Sequence, residues 1–216
     1  MNEKNFITSW SGGKDCCLAT IIALSDDCKL TGIVTMLNEN GKVSRSHAIP
    51  LHILEQQAKA MKVPLLTTAS TWDDYEINFI ASLKKASLQY HASMVVFGDI
   101  DTESHKLWEE KSAAAAGIMA YLPLWKKHRK KLVLQVIHCN IEAIIISCNT
   151  LLGKDFLGKK LNNETLIELE NTGVDVCGEN GEYHTLVVNC PLFNNPVNYE
   201  IVEKLQHKDY CFLEIQ

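Results

Sequence analysis

Two adjacent glycines, Gly12 and Gly13, sit between a strand-like run and a helix-like one, and this junction constrains the chain more than any other feature. Residues 6–10 (Phe-Ile-Thr-Ser-Trp) read as a short buried strand, and residues 15–24 carry apolar side chains at helical spacing. Without a Cβ, glycine lets the backbone turn sharply and lets a ligand come close. The N–H groups of the first helical turn then point outward and attract an anion. The run Ser11-Gly12-Gly13-Lys14-Asp15 adds a hydroxyl and an ammonium, both suited to phosphate, and a carboxylate. A pure anion site has no use for Asp15, but a polyphosphate that arrives with Mg²⁺ does. An ordinary strand-to-helix turn leaves the lysine and the acid without a purpose.

The alternation continues. A second strand over 30–37 ends at Asn38-Glu39-Asn40-Gly41, and a helix over 51–61 leads to Pro64 and a third strand over 65–68. Asp73-Asp74 can start a helix that runs to Tyr90, and residues 94–97 form a fourth strand closed by Gly98. This order predicts an α/β, Rossmann-like parallel sheet with helices on both faces. Right-handed crossovers bring its strand C-termini to one ligand-binding edge. After Pro123 the texture changes to a helix near 127–137, a strand over 143–147, a short helix over 164–170, and β-rich stretches over 183–189, 199–203 and 210–215. The reading is a nucleotide-binding domain over 1–122 and a smaller α+β domain over 123–216. The two are expected to pack closely, because no repeat or low-complexity linker separates them. The late β-rich stretches offer an edge for pairing in a homodimer.

Composition narrows the function. The chain has 216 residues, a net charge of −5 and 46% hydrophobic residues, an ordinary globular composition rather than a disordered one. Its longest basic run, residues 126–131, is too short for extended duplex binding and reads as a solvated helix start, so DNA is not an expected partner. No stretch approaches the ~20 apolar residues that span a bilayer. Residues 1–5 are too polar for a signal peptide. Eight scattered cysteines without a CxxC pair read as thiols in a reducing cytoplasm and argue against zinc.

Further constellations fall on the same sheet edge. Met36 ends the second strand, and Ser44-Arg45-Ser46-His47 follows its turn; Met36, Ser46 and His47 are expected at the nucleotide, with Ser11, Gly12, Gly13, Lys14, Asp15 and Cys16. Gly98 allows a sharp exit from the fourth strand, and Asp99 or Asp101 suits a metal or a ribose hydroxyl, although Asp is also a common turn and cap residue. His105 and Trp108 follow where a helix should begin, placed to line the cleft. The densest polar signal is late: Gly178-Glu179-Asn180-Gly181-Glu182-Tyr183-His184-Thr185. Two carboxylates three apart between glycines exceed what a plain turn needs. Glu179 and Glu182 suit Mg²⁺ or an amine, and Tyr183, His184 and Thr185 should alternate faces as a strand begins. By contrast, residues 153–160 fit G-x-x-x-x-G-K by chance, because Lys160 stands where a hydroxyl residue would bind Mg²⁺ and Phe156 and Leu157 would crowd a phosphate.

These residues resemble the ATP-pyrophosphatase family that includes diphthine–ammonia ligase, a branch of the adenine-nucleotide α-hydrolase (HUP-type) group. The resemblance covers nearly the whole chain. It is carried by the Ser11-Gly12-Gly13-Lys14-Asp15 loop, Ser44-Arg45-Ser46-His47, Val96-Phe97-Gly98-Asp99-Ile100, Leu122-Pro123-Leu124-Trp125, Phe156-Leu157-Gly158, the late acidic segment and Pro191-Leu192-Phe193. It implies a cytoplasmic ligase that uses ATP and Mg²⁺ to adenylate a substrate carboxylate, releases pyrophosphate, and lets ammonia displace AMP. Lys14, Asp15, Glu179 and Glu182 would be catalytic, Asp15 and Glu182 would hold metal, and His105, Trp108, Asn180, Tyr183, His184 and Thr185 would contact substrate. The family loop usually ends Lys-Asp-Ser; here Cys16 replaces the serine, and the weaker donor is expected to loosen the phosphate grip. The compact form, with Asn180 and His184 in the late motif, is similar to the bacterial or archaeal branch. Two other readings use the same loop: a nucleotide-binding regulatory protein without turnover, and an RNA-modifying ATP pyrophosphatase.

Overall fold

The computed structural model describes residues 4–216; residues 1–3, the start of the polar run at 1–5 and of the 1–122 unit, lie outside the described residues. The first part alternates strands and helices: β1 (Lys4–Ser9), α1 (Lys14–Ser25), β2 (Cys28–Leu37), α2 (Leu51–Met61), β3 (Leu65–Ala69), α3 (Tyr75–Tyr90), β4 (Met94–Val96), α4 (Glu103–Ala115) and β5 (Met119–Tyr121). Its five strands are all parallel, in the order β3-β2-β1-β4-β5. β1 lies in the middle, with Thr8 opposite Ile33 of β2 on one side and Val96 of β4 on the other. The crossover after β1 goes to one side and that after β3 to the other, which opens a crevice at the C-terminal end of β1, where such sheets bind ligands.

The second part comprises α5 (Arg129–His138), β6 (Glu142–Asn149), α6 (Asn163–Thr172), β7 (Tyr183–Asn189), β8 (Ile201–His207) and β9 (Tyr210–Ile215). Its sheet has the order β7-β6-β9-β8 and is antiparallel throughout. The β-rich stretch expected over 199–203 is shifted to β8, an edge strand exposed along its whole length, where alternation gives no register signal. β5 was not legible because three residues, Met-Ala-Tyr, carry no period. Residues 153–160 form no phosphate cradle; Phe156 and Leu157 are buried, and Lys160 pairs with Glu142 at 2.8 Å. The eight cysteines are all free thiols. Among the described residues, no helix is long and apolar enough to cross a membrane.

Side chains alternate across β1 as a central strand requires. Phe6 joins a core that also contains Leu18, Ile144, Leu186 and Val187, so one apolar cluster runs through both parts. Ile7 faces the other way, into a smaller cluster with Phe79, Leu83 and Val95 under α3 and α4. α1 is buried over most of its circumference and contacts β2, β7 and α5. The helix that follows the glycine turn is therefore held by both parts of the molecule.

Candidate active site

The glycine turn is built by close approach. Gly12 has φ +84°, where L side chains are strained, and a Cβ there would lie 2.7 Å from Ile49 Cδ1. At Gly13 a Cβ would lie 2.5 Å from His47 Cε1, and at Gly98 one would lie 2.8 Å from the backbone nitrogen of Cys16. His47 and the β4 exit thus wall the start of α1 from opposite sides. The first-turn N–H groups have no intrahelical acceptor. That of Lys14 donates to Thr185 Oγ1 at 3.0 Å, and that of Gly13 to Ser11 Oγ at 3.4 Å. The fully buried Gln57 completes the frame: it accepts from Trp10 Nε1 at 2.8 Å and donates to the carbonyls of Gly12 at 3.2 Å and Val187 at 2.8 Å. The N–H of Val187 in turn donates to Gly12 O at 2.9 Å.

Charge gathers beneath the turn. Lys14 is buried, with Nζ 2.7 Å from Asp15 Oδ2 and 5.5 Å from the centre of the Tyr183 ring. Burial works against its charge, but Asp15 first, with Tyr183, Cys177 and Glu179, holds it well above the ordinary lysine range. Asp15 Oδ1 is buried with no hydrogen-bond partner. Ligand atoms of Asp15, Cys177 and Glu179 lie within 4.8 Å of one another. Burial, and after it Asp15, pushes the Glu179 carboxyl up to about 7. Burial pushes the Cys177 thiol up to about 12, so it stays protonated at neutral pH. The donor set at this point is two carboxylates and a neutral thiol.

A bracing network sets the late loop over this cluster. Arg129 donates to both oxygens of Asp101, at 2.7 and 2.8 Å, to Asp175 at 2.6 Å and to Asn180 Oδ1 at 3.2 Å. Asp175 accepts the N–H groups of Cys177 and Glu179, at 3.1 and 3.2 Å. Glu182 is turned into its own loop, where it accepts from Asp175 N at 3.2 Å and from Asn180 N and Nδ2 at 2.9 and 3.0 Å. A carboxylate whose oxygens serve loop amides is a brace, and Glu179, rather than Glu182, is the acid placed beside Asp15. Tyr183 is likewise engaged, donating its hydroxyl to Val176 O at 2.7 Å.

The other sequence-predicted residues divide. Ser11, Met36 and Ser46 line a cleft with Arg45 and Tyr75 at the C-terminal ends of β1 and β2. His47 and His184 face each other with ring centres 4.7 Å apart, and His47 Nδ1 is 3.2 Å from Thr185 O. Burial, then the paired imidazole and Lys14, keeps the His47 ring neutral, and burial lowers His184 as well. Asp99 contacts the exposed His105 at 2.9 Å. Trp108, expected in the cleft, instead packs α4 on α3: it stacks on Phe79 and donates to Glu76 at 3.1 Å. Cys16 is buried between Ser11 and the Gly13 carbonyl. Sequence reasoning missed Gln57, Arg129 and Asp175. Gln57 sits among the buried positions of α2, where its polarity was the available signal, and Arg129 hid in the basic run; Lys126, Lys127, Lys130 and Lys131 are exposed as expected of a solvated helix start.

A parallel sheet whose central strand feeds a glycine turn and a buried lysine–carboxylate cluster is the arrangement of an α/β phosphate-binding protein. The chain belongs to the diphthamide synthase family: the family's N-terminal domain matches residues 4–120 and its C-terminal domain residues 128–216. Diphthine–ammonia ligase of Rattus norvegicus is 26% identical over 232 residues, covering 95% of this chain and 86% of the relative. The Homo sapiens enzyme is 25% identical over 231 residues with the same two coverages. Among solved structures, a Methanocaldococcus jannaschii protein described as a predicted subunit of tRNA methyltransferase aligns over 87% of this chain and 98% of its own, with a TM-score of 0.47 and 14% identity.

Proposed function

We propose that this chain activates a substrate carboxylate with ATP and converts it to an amide. The carrying observation is the buried, unpartnered Asp15 Oδ1 beside Glu179 and Lys14, under a glycine turn. An orphaned carboxylate oxygen facing a second acid fits a hard divalent cation, and Mg²⁺ takes one or two carboxylates with substrate phosphates and water. Cys177, a neutral thiol, is no Mg²⁺ ligand. Bound there, Mg²⁺ would neutralise charge on the phosphates.

The loop N–H groups and Lys14 would hold the polyphosphate and stabilise the negative charge that develops as pyrophosphate leaves. The substrate carboxylate attacks the α-phosphorus; an O–P bond forms, the bond to the bridging oxygen breaks, and an acyl adenylate results. Ammonia then attacks the acyl carbon and AMP departs. The proton the nitrogen loses passes to water, since Glu179 serves the cation. Neutral His47 and His184 shape the wall without adding charge.

The test is incubation with ATP, Mg²⁺, ammonium and a metabolite extract, followed by mass spectrometry. The expected result is AMP, pyrophosphate and an amide formed only when all components are present. Formation of ADP and phosphate, or of AMP with no new amide, would contradict it.

A further inference from the structure

Arg45 carries a hydrogen-bond donor that no group in the protein uses. Its loop is tightly closed: Ser44 donates its N–H to Ile49 O at 2.8 Å, and Ser44 Oγ accepts the N–H of Ile49 at 3.0 Å. The N–H of Arg45 itself donates to Met36 O at 2.9 Å. The side chain is thereby anchored beside the C-terminal end of β2, where it lines the cleft with Ser11, Thr35, Met36, Ser46 and Tyr75. It is only 10% exposed. Nη2 is committed, donating to Glu39 Oε2 at 2.8 Å and to the Ser70 carbonyl. The guanidinium lies 4.9 Å from the centre of the Trp72 ring, so an outward-facing aromatic covers one of its flat faces. Nε, by contrast, is buried and has no hydrogen-bond partner. A donor of a charged group left unmet in a buried position is costly. The cleft is therefore suited to a ligand that supplies an acceptor.

We propose that Arg45 reads the nucleobase, its Nε–H donating to one ring nitrogen of the adenine. The assignment rests on ATP binding at the glycine turn. Ser11 belongs both to that turn and to the cleft, so a triphosphate on the turn brings its nucleoside to the cleft. The chemistry favours a base over a second anion. Glu39 already balances the guanidinium charge, and with Nη2 occupied the fork that grips a carboxylate at two points is not on offer. What remains is a single N–H, which one neutral acceptor satisfies, and the bare ring nitrogens of adenine are acceptors only. Met36 and Tyr75 give the slot apolar walls that suit a flat aromatic ring. Glu39 and the Ser70 carbonyl are positioning groups, which hold the guanidinium so that Nε stays free for the base.

The experiment measures binding, so its outcome does not depend on turnover. Calorimetric titration with Mg²⁺ present compares ATP with its 1-deaza, 3-deaza and 7-deaza analogues, each of which replaces one ring nitrogen by C–H. The full chain and Arg45→Lys are both titrated; lysine can keep a contact to Glu39 but has no Nε–H at that place. Inorganic tripolyphosphate, titrated alongside, reports on the glycine turn alone. One of the three analogues should bind the unaltered chain about tenfold more weakly than ATP, the worth of one hydrogen bond to a charged group. Arg45→Lys should bind ATP and that analogue alike, both about tenfold more weakly than the unaltered chain binds ATP, with tripolyphosphate affinity unchanged. A flat analogue series on the unaltered chain, which needs no variant to fold, would overturn the assignment. So would a ring-nitrogen effect that persists in Arg45→Lys. If the effect appears and vanishes as expected but no amide is ever made, the base contact stands and the ligase reading fails.

Discussion

The hydroxyl of Thr185 accepts the main-chain N–H of Lys14 at 3.0 Å, joining residues 171 positions apart. Through this bond the first turn of α1 is fixed by β7 of the second sheet, and the glycine turn belongs to both parts of the molecule. Thr185→Val keeps the shape and removes the acceptor, leaving a buried N–H unpaired. The expected cost is ~1–3 kcal/mol, read as a lower urea midpoint, and Thr185→Ser should retain most of the stability. An unchanged midpoint in the valine variant would mean that the bond does not hold the turn.

Gly98 meets the start of α1 backbone to backbone. A methyl group at this position would lie 2.8 Å from Cys16 N, and neither chain can yield as a side-chain tip can. Gly98→Ala should cost ~1–3 kcal/mol by overpacking and lower ATP affinity by more than about tenfold. Calorimetric titration with ATP checks it; wild-type affinity would contradict the proposed wall.

Glu179 carries a pH dependence of definite sign. Its carboxyl is raised from 4.5 to about 7 in the folded protein, so the folded chain holds a proton that the unfolded chain releases. The stability from this group is complete below 4.5 and is lost as pH rises through about 7. Mg²⁺ affinity should run the other way, strengthening as pH rises through the same value, because the cation needs the carboxylate. Glu179→Gln should flatten both profiles, as measured by denaturation and Mg²⁺ titration over that window. Profiles unchanged by the substitution would place the titrating group elsewhere.

Arg129 braces the late loop through Asp101, Asp175 and Asn180. Its partial exposure limits the stability at stake to ~1–2 kcal/mol in Arg129→Ala. The sharper expectation is local: the amides of Cys177 and Glu179, held by Asp175, should exchange with solvent faster. Lysine should not rescue it, since one ammonium cannot span the forked contacts. Unaltered exchange at these two amides would rule out the brace.

Cys16 tests the departure from the usual loop. Its sulfur receives the Ser11 hydroxyl at 3.4 Å and points to Gly13 O at 3.2 Å, both longer than oxygen contacts. Cys16→Ser should tighten ATP binding about threefold, the worth of ~0.5–1 kcal/mol. Tighter binding by the natural thiol would refute this.

The central sheet and the glycine turn were legible because their signals are local. Strand, Gly-Gly and Lys14 are neighbours in the chain, and α2 and β9 carry a clear period over the residues they occupy. The placement of Glu179 beside Asp15, and the turning inward of Glu182, depend on how a loop from one sheet closes over a helix of the other, and no spacing encodes that. Gln57 and Arg129 escaped for a related reason: each joins segments distant in sequence, and alone each looks like an ordinary helix residue. Trp108 was misplaced because an aromatic near a sheet edge reads equally as a cleft wall or as packing between helices, and here α3 supplies its partners.

The most direct measurement is a crystal structure with Mg²⁺ and a non-hydrolysable ATP analogue. The expected result is phosphate oxygens on the N–H groups of the glycine turn other than that of Lys14, which Thr185 holds, and one cation about 2.1 Å from oxygens of both Asp15 and Glu179. A triphosphate bound away from the glycine turn, or a cation on Glu182 with Glu179 turned to solvent, would contradict it.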